Sequence, residues 1–302
     1  MRKKILPVFI LILFFLPGTI SSVFSQNNLP YDDENFVYSV KQIDEFIERF
    51  NKTPNSFLIS YLKSKFPEND IDTIDRKKFI LNLFNLRNAT WDSLRVRNFV
   101  NHVTDTVQPS FIQFYDDNWY ALLKCKVVYR KVTQDLDLIL KIEPSRNNSS
   151  KWVIVSAKAD FLNFKSKYEN TKVPVPVYCG SDLRDPTLEN KFFLDPMAYG
   201  TDFMCIDEPF EHGERFKDYL YSGRISSQIT KLIQEIKKNN VVFKQVNSVS
   251  YHFLNVPGWL FICEYFSRSD RNSGWLISNL YPLTEAQKKL YLREYLNIPD
   301  ND

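Results

Sequence analysis

The sequence predicts an α+β protein: helices followed by a curled antiparallel sheet, repeated in a reduced form in the C-terminal half. Three observations predict it. From Trp119 to Tyr129 every odd position is apolar or aromatic (Trp119, Ala121, Leu123, Cys125, Val127, Tyr129), while Lys124 and Lys126 occupy even ones. That period of two marks a strand with one buried face. Before this stretch, apolar residues recur at spacings of three and four, as on core-facing helices. After residue 210 a helical pattern is again followed by strand patterns, so helices precede strands twice, the order of an α+β fold.

The segment from Ser110 to Leu162 reads as four strands. Leu136, Leu138, Leu140 and Ile142 alternate with Asp135, Asp137 and Lys141, and a polar link at Lys131–Gln134 makes the pair a hairpin. The polar stretch Pro144–Ser150 turns the chain again. Lys151–Lys158 is then apolar on both faces, as for a central or covered strand.

In chain order, residues 1–25 stand apart. Arg2, Lys3 and Lys4 precede the apolar Ile5–Leu16, and small residues end the segment at Ser25. This is the pattern of a secretory signal peptide cleaved before Gln26, since the apolar run is short of the roughly 20 residues of a membrane span. The expected location is periplasmic or extracellular, with no transmembrane segment in the mature chain. Removing residues 1–25 leaves 36 of the 39 basic residues against 36 acidic ones. A net charge of zero gives no electrostatic case for nucleic acid.

Residues 26–38 read as a flexible lead. Ser39 to Gln42 has the spacing of a capping box, followed by Ile43, Phe46, Ile47 and Phe50 at helical positions. Pro54–Phe66 holds a second helix, Asp75 caps a third carrying Phe79 and Ile80, and Asn88 or Thr90 opens a fourth with Trp91, Leu94, Phe99, Val100 and Val103. Residues 39–165 form the first unit. Residues 166–210 are proline-rich and aperiodic, a connection long enough to favour a boundary. The second unit, 211–302, has a short helix near Glu214–Tyr221 and a longer one through Ile225 and Ile236, ending at Lys237–Asn240. Strands follow at Val241–Phe253, Gly258–Arg268 and Gly274–Leu280. A second capping box, Thr284 to Gln287, opens a C-terminal helix to about Leu296.

The halves echo each other. Trp119, Cys125 and Ser150-Lys151-Trp152 in the first correspond to Trp259, Cys263 and Ser273-Gly274-Trp275 in the second. Cys125 and Cys263 fall in apolar strand patterns, as small hydrophobes. Cys179 and Cys205 lie in irregular sequence and are a candidate disulfide in an exported protein.

Motifs for chemistry are few. Only seven glycines occur, without a phosphate-binding loop. Nucleophile–base, zinc-helix and CxxC patterns are missing, and no metal or other cofactor is expected. Of the three histidines, His102 has Asp105 three residues on, a candidate acid–base pair and otherwise an ordinary helix end. His212 sits with Glu211 and Glu214 without a second ligand cluster. His252 alternates with Tyr251 and Phe253 and reads as a surface or hydrogen-bonded histidine. Asp116-Asp117-Asn118 reads as turn chemistry. Trp91, Trp119, Tyr120, Tyr129 and Trp152 cluster around the main strands, where they either fill the core or line a ligand pocket.

A helix-first segment feeding an antiparallel meander resembles the nuclear-transport-factor-like (cystatin-like) superfamily over Ser39–Leu162, and in reduced form over Glu214–Leu280. The resemblance implies a cone-shaped sheet with a pocket at its open end and no particular chemistry. The expected function is a non-catalytic binding or accessory protein for a small molecule or a protein partner. The alternatives are a small-molecule enzyme using His102 and Asp105, and an envelope module that forms a homodimer.

Overall fold

The computed structural model describes residues 40, 42–67, 70–85, 87–88, 90–144, 150–163, 194–195, 200, 203, 205–267 and 273–299. The signal-peptide and flexible-lead expectations for 1–38, and most of the 166–210 connection, lie outside the described residues.

Four helices form first, each for a local reason. Helix α1 (Ile43–Asn51) buries Ile43, Phe46, Ile47 and Phe50 and ends where Lys52 turns left-handed at φ 51°. Its N-cap is Gln42, one turn later than the capping box centred on Ser39 required, and no side chain caps it. Helix α2 (Phe57–Lys65) starts at Ser56, whose hydroxyl accepts the Ile59 N–H. Helix α3 (Arg76–Leu81) is capped by Asp75 as expected. Helix α4 (Ser93–Val103) is capped by Asp92, whose carboxylate accepts the Leu94 and Arg95 N–H groups. Asn88 instead holds Thr90 in the preceding turn. Starting later, α4 turns Leu94 to solvent and buries Val96, Phe99, Val100 and Val103.

Six strands make one open antiparallel sheet in the order β3-β2-β1-β4-β5-β6. They are β1 (Trp119–Tyr129), β2 (Val132–Pro144), β3 (Ser150–Lys158), β4 (Val241–Phe253), β5 (Trp259–Phe266) and β6 (Gly274–Pro282). The fold is α+β. The segment Ser110–Leu162 holds three strands rather than four. Around Ile112 the backbone is bonded in both directions by the Asn51 side-chain amide, and the Ser110 carbonyl accepts from Arg76, so these groups are not offered to a ladder.

Between the halves lie α5 (Glu208–Glu211), a 3-10 turn at Phe216–Tyr219, and α6 (Ser227–Lys237), which packs on β3 and β4. Each half contributes a three-stranded meander, and β1 and β4 join them antiparallel at the sheet centre. Trp152 and Trp275 sit on the outermost strands β3 and β6, in matching places. Trp119 and Trp259 do not match, since they lie on β1 and β5.

One face of the sheet packs on α1, α3, α4 and α6 through a single apolar cluster drawn from both halves. Its centre is aromatic: Trp119 stacks on Phe253 at 5.2 Å, Phe50 on Phe261 at 5.7 Å, and Tyr251 meets Trp275 edge-on at 4.8 Å. The second face carries a smaller cluster of Tyr120, Leu122, Ile139, Val155, Leu260 and Ile262. Over it lies the C-terminal segment, α7 (Glu285–Leu290) with the expected Thr284–Gln287 capping box, then a wide π-helical turn at Tyr291–Tyr295.

The sheet edges are guarded. Leu194, Leu220, Tyr221 and Ser226 bond along β3, an outer strand that reads apolar on both faces because Trp152 and Ile154 enter the main cluster and Val155 the second-face one. Val40, Leu83 and Asn85 bond along β6. Strand β5 pairs with β4 only over Ser250–Phe253, so among the described residues 241–249 pair on the β1 side alone. Two register shifts fall in that half and leave Asn247 and Lys244 without a β1 partner; bulges and a lysine protect open edges from stray pairing.

Candidate functional site

The aromatic residues singled out in the sequence do not converge on a pocket. Trp119 and Trp152 meet at 5.4 Å inside the core, both essentially inaccessible. Trp91 is half-buried against Phe84 and donates to the Asn85 carbonyl. Tyr129 stacks on Phe161 at 4.4 Å at the far end of the hairpin and donates to Glu235. Tyr120 faces away from Trp119, yet both are buried, because the C-terminal segment covers the second face there.

His102 is exposed near the end of α4, and Asp105 is exposed in the loop beyond. The Asp105 carboxylate accepts the Val107 and Gln108 N–H groups at 2.8 Å each; these bonds, with His102 nearby, hold it below the usual carboxylate range. It shapes a turn. His212 is exposed after α5. Asp116 accepts the Gln113 N–H, Asp117 pairs with Lys141 at 3.0 Å, and Asn118 takes φ 64°, all turn roles. Cys125 and Cys263 are buried free thiols pushed up by burial. Cys205 is an exposed free thiol, and Cys179 lies outside the described residues. Among the described residues no three His, Cys, Asp or Glu side chains gather to hold a metal ion.

What the structure does bring together is a polar chain under the C-terminal segment. Ser250 and His252 alternate on β4 with Val249, Tyr251 and Phe253, so they point to the second face. The Ser250 hydroxyl lies 2.9 Å from His252 Nε2, and the Tyr291 hydroxyl lies 2.6 Å from His252 Nδ1. The imidazole is 1% exposed, with the Tyr291 and Tyr295 rings 6.0 and 5.9 Å away. Burial, reinforced by the Lys124 ammonium, lowers its pKa to about 3, and burial raises Tyr120 to about 12. At neutral pH the chain is hydroxyl, neutral imidazole, hydroxyl.

Where the C-terminal segment stops, charge begins. Cross-strand neighbours Lys158, Asp137 and Lys124 form a row of alternating sign, and Lys126 pairs with Asp135 one step further at 2.6 Å. Burial raises Asp137 while Lys124 and Lys158 pull it down. Tyr295, 46% exposed, overhangs this row with the Lys158 ammonium 5.7 Å from its ring.

No family model matches the chain, and neither does any curated protein or solved structure with which it was compared. The chemistry of the site therefore rests on its geometry. A serine and histidine at hydrogen-bonding distance suggest nucleophilic catalysis, but the second imidazole nitrogen meets a tyrosine hydroxyl and no carboxylate. That leaves the imidazolium of an acyl-transfer step without its usual stabiliser. The arrangement suits holding a neutral polar surface together beside an open charged one. The spacing of Ser250 and His252 was legible in the sequence; Tyr291, 39 residues on, carried no signal that it would close over them.

Proposed function

We propose that this chain is an exported, non-catalytic binding or accessory protein that meets a protein partner on the second face of its sheet. One observation carries the reading: the C-terminal segment covers only part of that face, leaving the row Lys158–Asp137–Lys124 and the Lys126–Asp135 pair beside the half-exposed Tyr295. A surface of alternating charge rimmed by an aromatic ring discriminates between partners by charge register more than by apolar area. The placement of His102 and Asp105 in solvent favours binding over catalysis. The basic and apolar pattern of residues 1–25 supports export, with cleavage before Gln26. Among the described residues no helix is long and apolar enough to cross a membrane. The helix-first order and the meander β1–β3 support the nuclear-transport-factor-like build as part of the same reading.

Zero-length carboxyl–amine cross-linking in the producing cells tests it. Cross-links to another protein at Lys124, Lys126 or Lys158, lost in the double variant Lys124→Glu/Lys158→Glu, are expected. Cross-links that fall elsewhere, or survive the double variant, would count against this face; links to a second copy would mark it as a dimer surface. N-terminal sequencing of the exported protein should begin at Gln26.

A further inference from the structure

We infer that His252 is an acid-sensitive latch: with its ring neutral the C-terminal segment 283–299 lies closed over the second sheet face, and protonation of the ring releases the segment. The placement is what argues for it. His252 is buried between the sheet and the segment, and one ring nitrogen is bonded to each: Nε2 to Ser250 on the sheet, Nδ1 to Tyr291 on the segment. The groups around it supply no counter-charge. Strand β1 offers Tyr120 and the Lys124 ammonium, β4 offers Ser250, and the segment offers the stacked rings of Tyr291 and Tyr295. Glu264 lies opposite Ser250 on β5, Asp137 stands between Lys124 and Lys158, and Tyr281 on β6 acts on Tyr291 while its hydroxyl donates to Asn279. Among the described residues no carboxylate pairs with the imidazole.

Both hydroxyls can rotate to accept, so an imidazolium would keep its two hydrogen bonds. What it lacks is water or an anion, and opening the segment supplies water. The segment pairs with no strand of the sheet among the described residues. It follows strand β6, and at its start the Leu283 N–H donates to the Gly258 carbonyl while near its end the Asn297 amide donates to the Ala157 carbonyl. Lys288 donates to the Leu254 and Val256 carbonyls, Ser156 bonds Asn297, and Lys158 reaches the Tyr295 carbonyl. Leu296 is its most deeply buried side chain. Release breaks no strand pairing and uncovers Tyr120, Leu122, Ile139 and Ile262 next to the charged row.

The geometry makes acid open the segment, because the ring titrates near its ordinary value of about 6.5 once exposed. With the closed ring at about 3, the opening equilibrium rises about thirty-fold between pH 7.5 and pH 5. Amide hydrogen exchange of the full chain, corrected for intrinsic rates, reads this directly. Protection over residues 286–298 should fall about thirty-fold on that pH change while protection in β1 and β2 holds, and His252→Gln should abolish the response. The same protection at both pH values would overturn the latch, as would a fall shared with β1 and β2, or an acid response that persists in His252→Gln. If that variant fails to fold, the ring resonance of His252 in the native chain decides. Its titration and the opening of 286–298 must share one midpoint, and separate midpoints overturn the proposal.

Discussion

Two charged side chains show how much the fold leans on single residues. The Arg76 guanidinium is fixed by three backbone carbonyls, those of Phe50, Val103 and Ser110, at 2.8, 3.0 and 2.6 Å. It lies over the rings of Phe50 and Phe111. Burial lowers its pKa to about 10, so it stays charged at neutral pH. Arg76→Met keeps the stem but removes a donor from three carbonyl groups where α1, α4 and the 110–112 loop meet, that of Val103 keeping its bond from the Ser110 N–H; a loss of about 2–4 kcal/mol in urea unfolding is expected. A loss below about 1 kcal/mol would mean that water replaces the guanidinium. Glu235 is the acidic counterpart. Burial pushes its carboxyl up, but hydrogen bonds from Asn240, Lys238 and Tyr129, and the Lys238 charge, pull it down further, to about 2. A depressed carboxyl contributes stability that is complete above its unfolded value, about 4.5, and fades as pH falls toward 2. Comparing wild type with Glu235→Gln should show about 1–2 kcal/mol of extra stability at pH 6 that is gone near pH 2, after allowance for solvent screening. A difference that does not change with pH would refute the assignment. Neither role was legible in the sequence. Arg76 reads as an ordinary first residue after the Asp75 cap, because its partners lie 26 to 34 residues away, and Glu235 as a solvated helix position, because Tyr129, 106 residues back, is invisible beside the nearby Lys238 and Asn240.

At the level of elements, legibility followed the kind of signal each element carries. Strand β1 matched its expected ends, since its odd positions are apolar or aromatic from Trp119 to Tyr129, although the even residues Tyr120 and Leu122 proved buried as well. The hairpin turn that follows was expected at Lys131–Gln134 and instead occupies Arg130 and Lys131 alone, at φ 47° and 71°, with Tyr129 paired to Val132. Two positive φ values define a turn that favours Asn-Gly, and Arg-Lys gives no such cue. Lys131→Gly should therefore raise stability by about 0.5–1 kcal/mol, through relief of the left-handed strain an L-residue carries. An unchanged or lower melting temperature would show that the strain is already relieved elsewhere. Gly274 is the opposite case. It takes φ 89°, and a Cβ there would collide with the Val40 carbonyl that accepts the Trp275 N–H. Gly274→Ala should cost about 2 kcal/mol or more, combining the backbone penalty with loss of the Val40 bridge that guards the β6 edge. Fraying of β6 in amide exchange should accompany the loss. A neutral substitution would mean that residue 40 is dispensable to that edge.

For the whole molecule, the sequence showed two helix-and-strand units but not how they join. Each meander was readable because its strands are neighbours in the chain. The pairing of β1 with β4 spans more than a hundred residues and leaves no local trace, so a boundary in 166–210 was the natural inference. The sheet and the main apolar cluster instead run across both halves: Trp119 of the first stacks on Phe253 of the second, and Phe50 on Phe261. Neither half alone could cover these rings, and β1 alone would expose a long apolar edge, a template for aggregation. The expected outcome is one cooperative unfolding transition, with tryptophan fluorescence and far-ultraviolet dichroism coinciding in urea. Fragments 40–165 and 205–299, produced separately, should fail to fold apart and regain the native dichroism when mixed. Cutting the intact chain within 166–193 should leave the two pieces associated, because the β1–β4 ladder and the aromatic contacts across it do not depend on that connection. Two separated transitions, or an independently folded fragment with native-like protection in β1, would show that the shared core is secondary to the halves and that the boundary read from the sequence is also an energetic one.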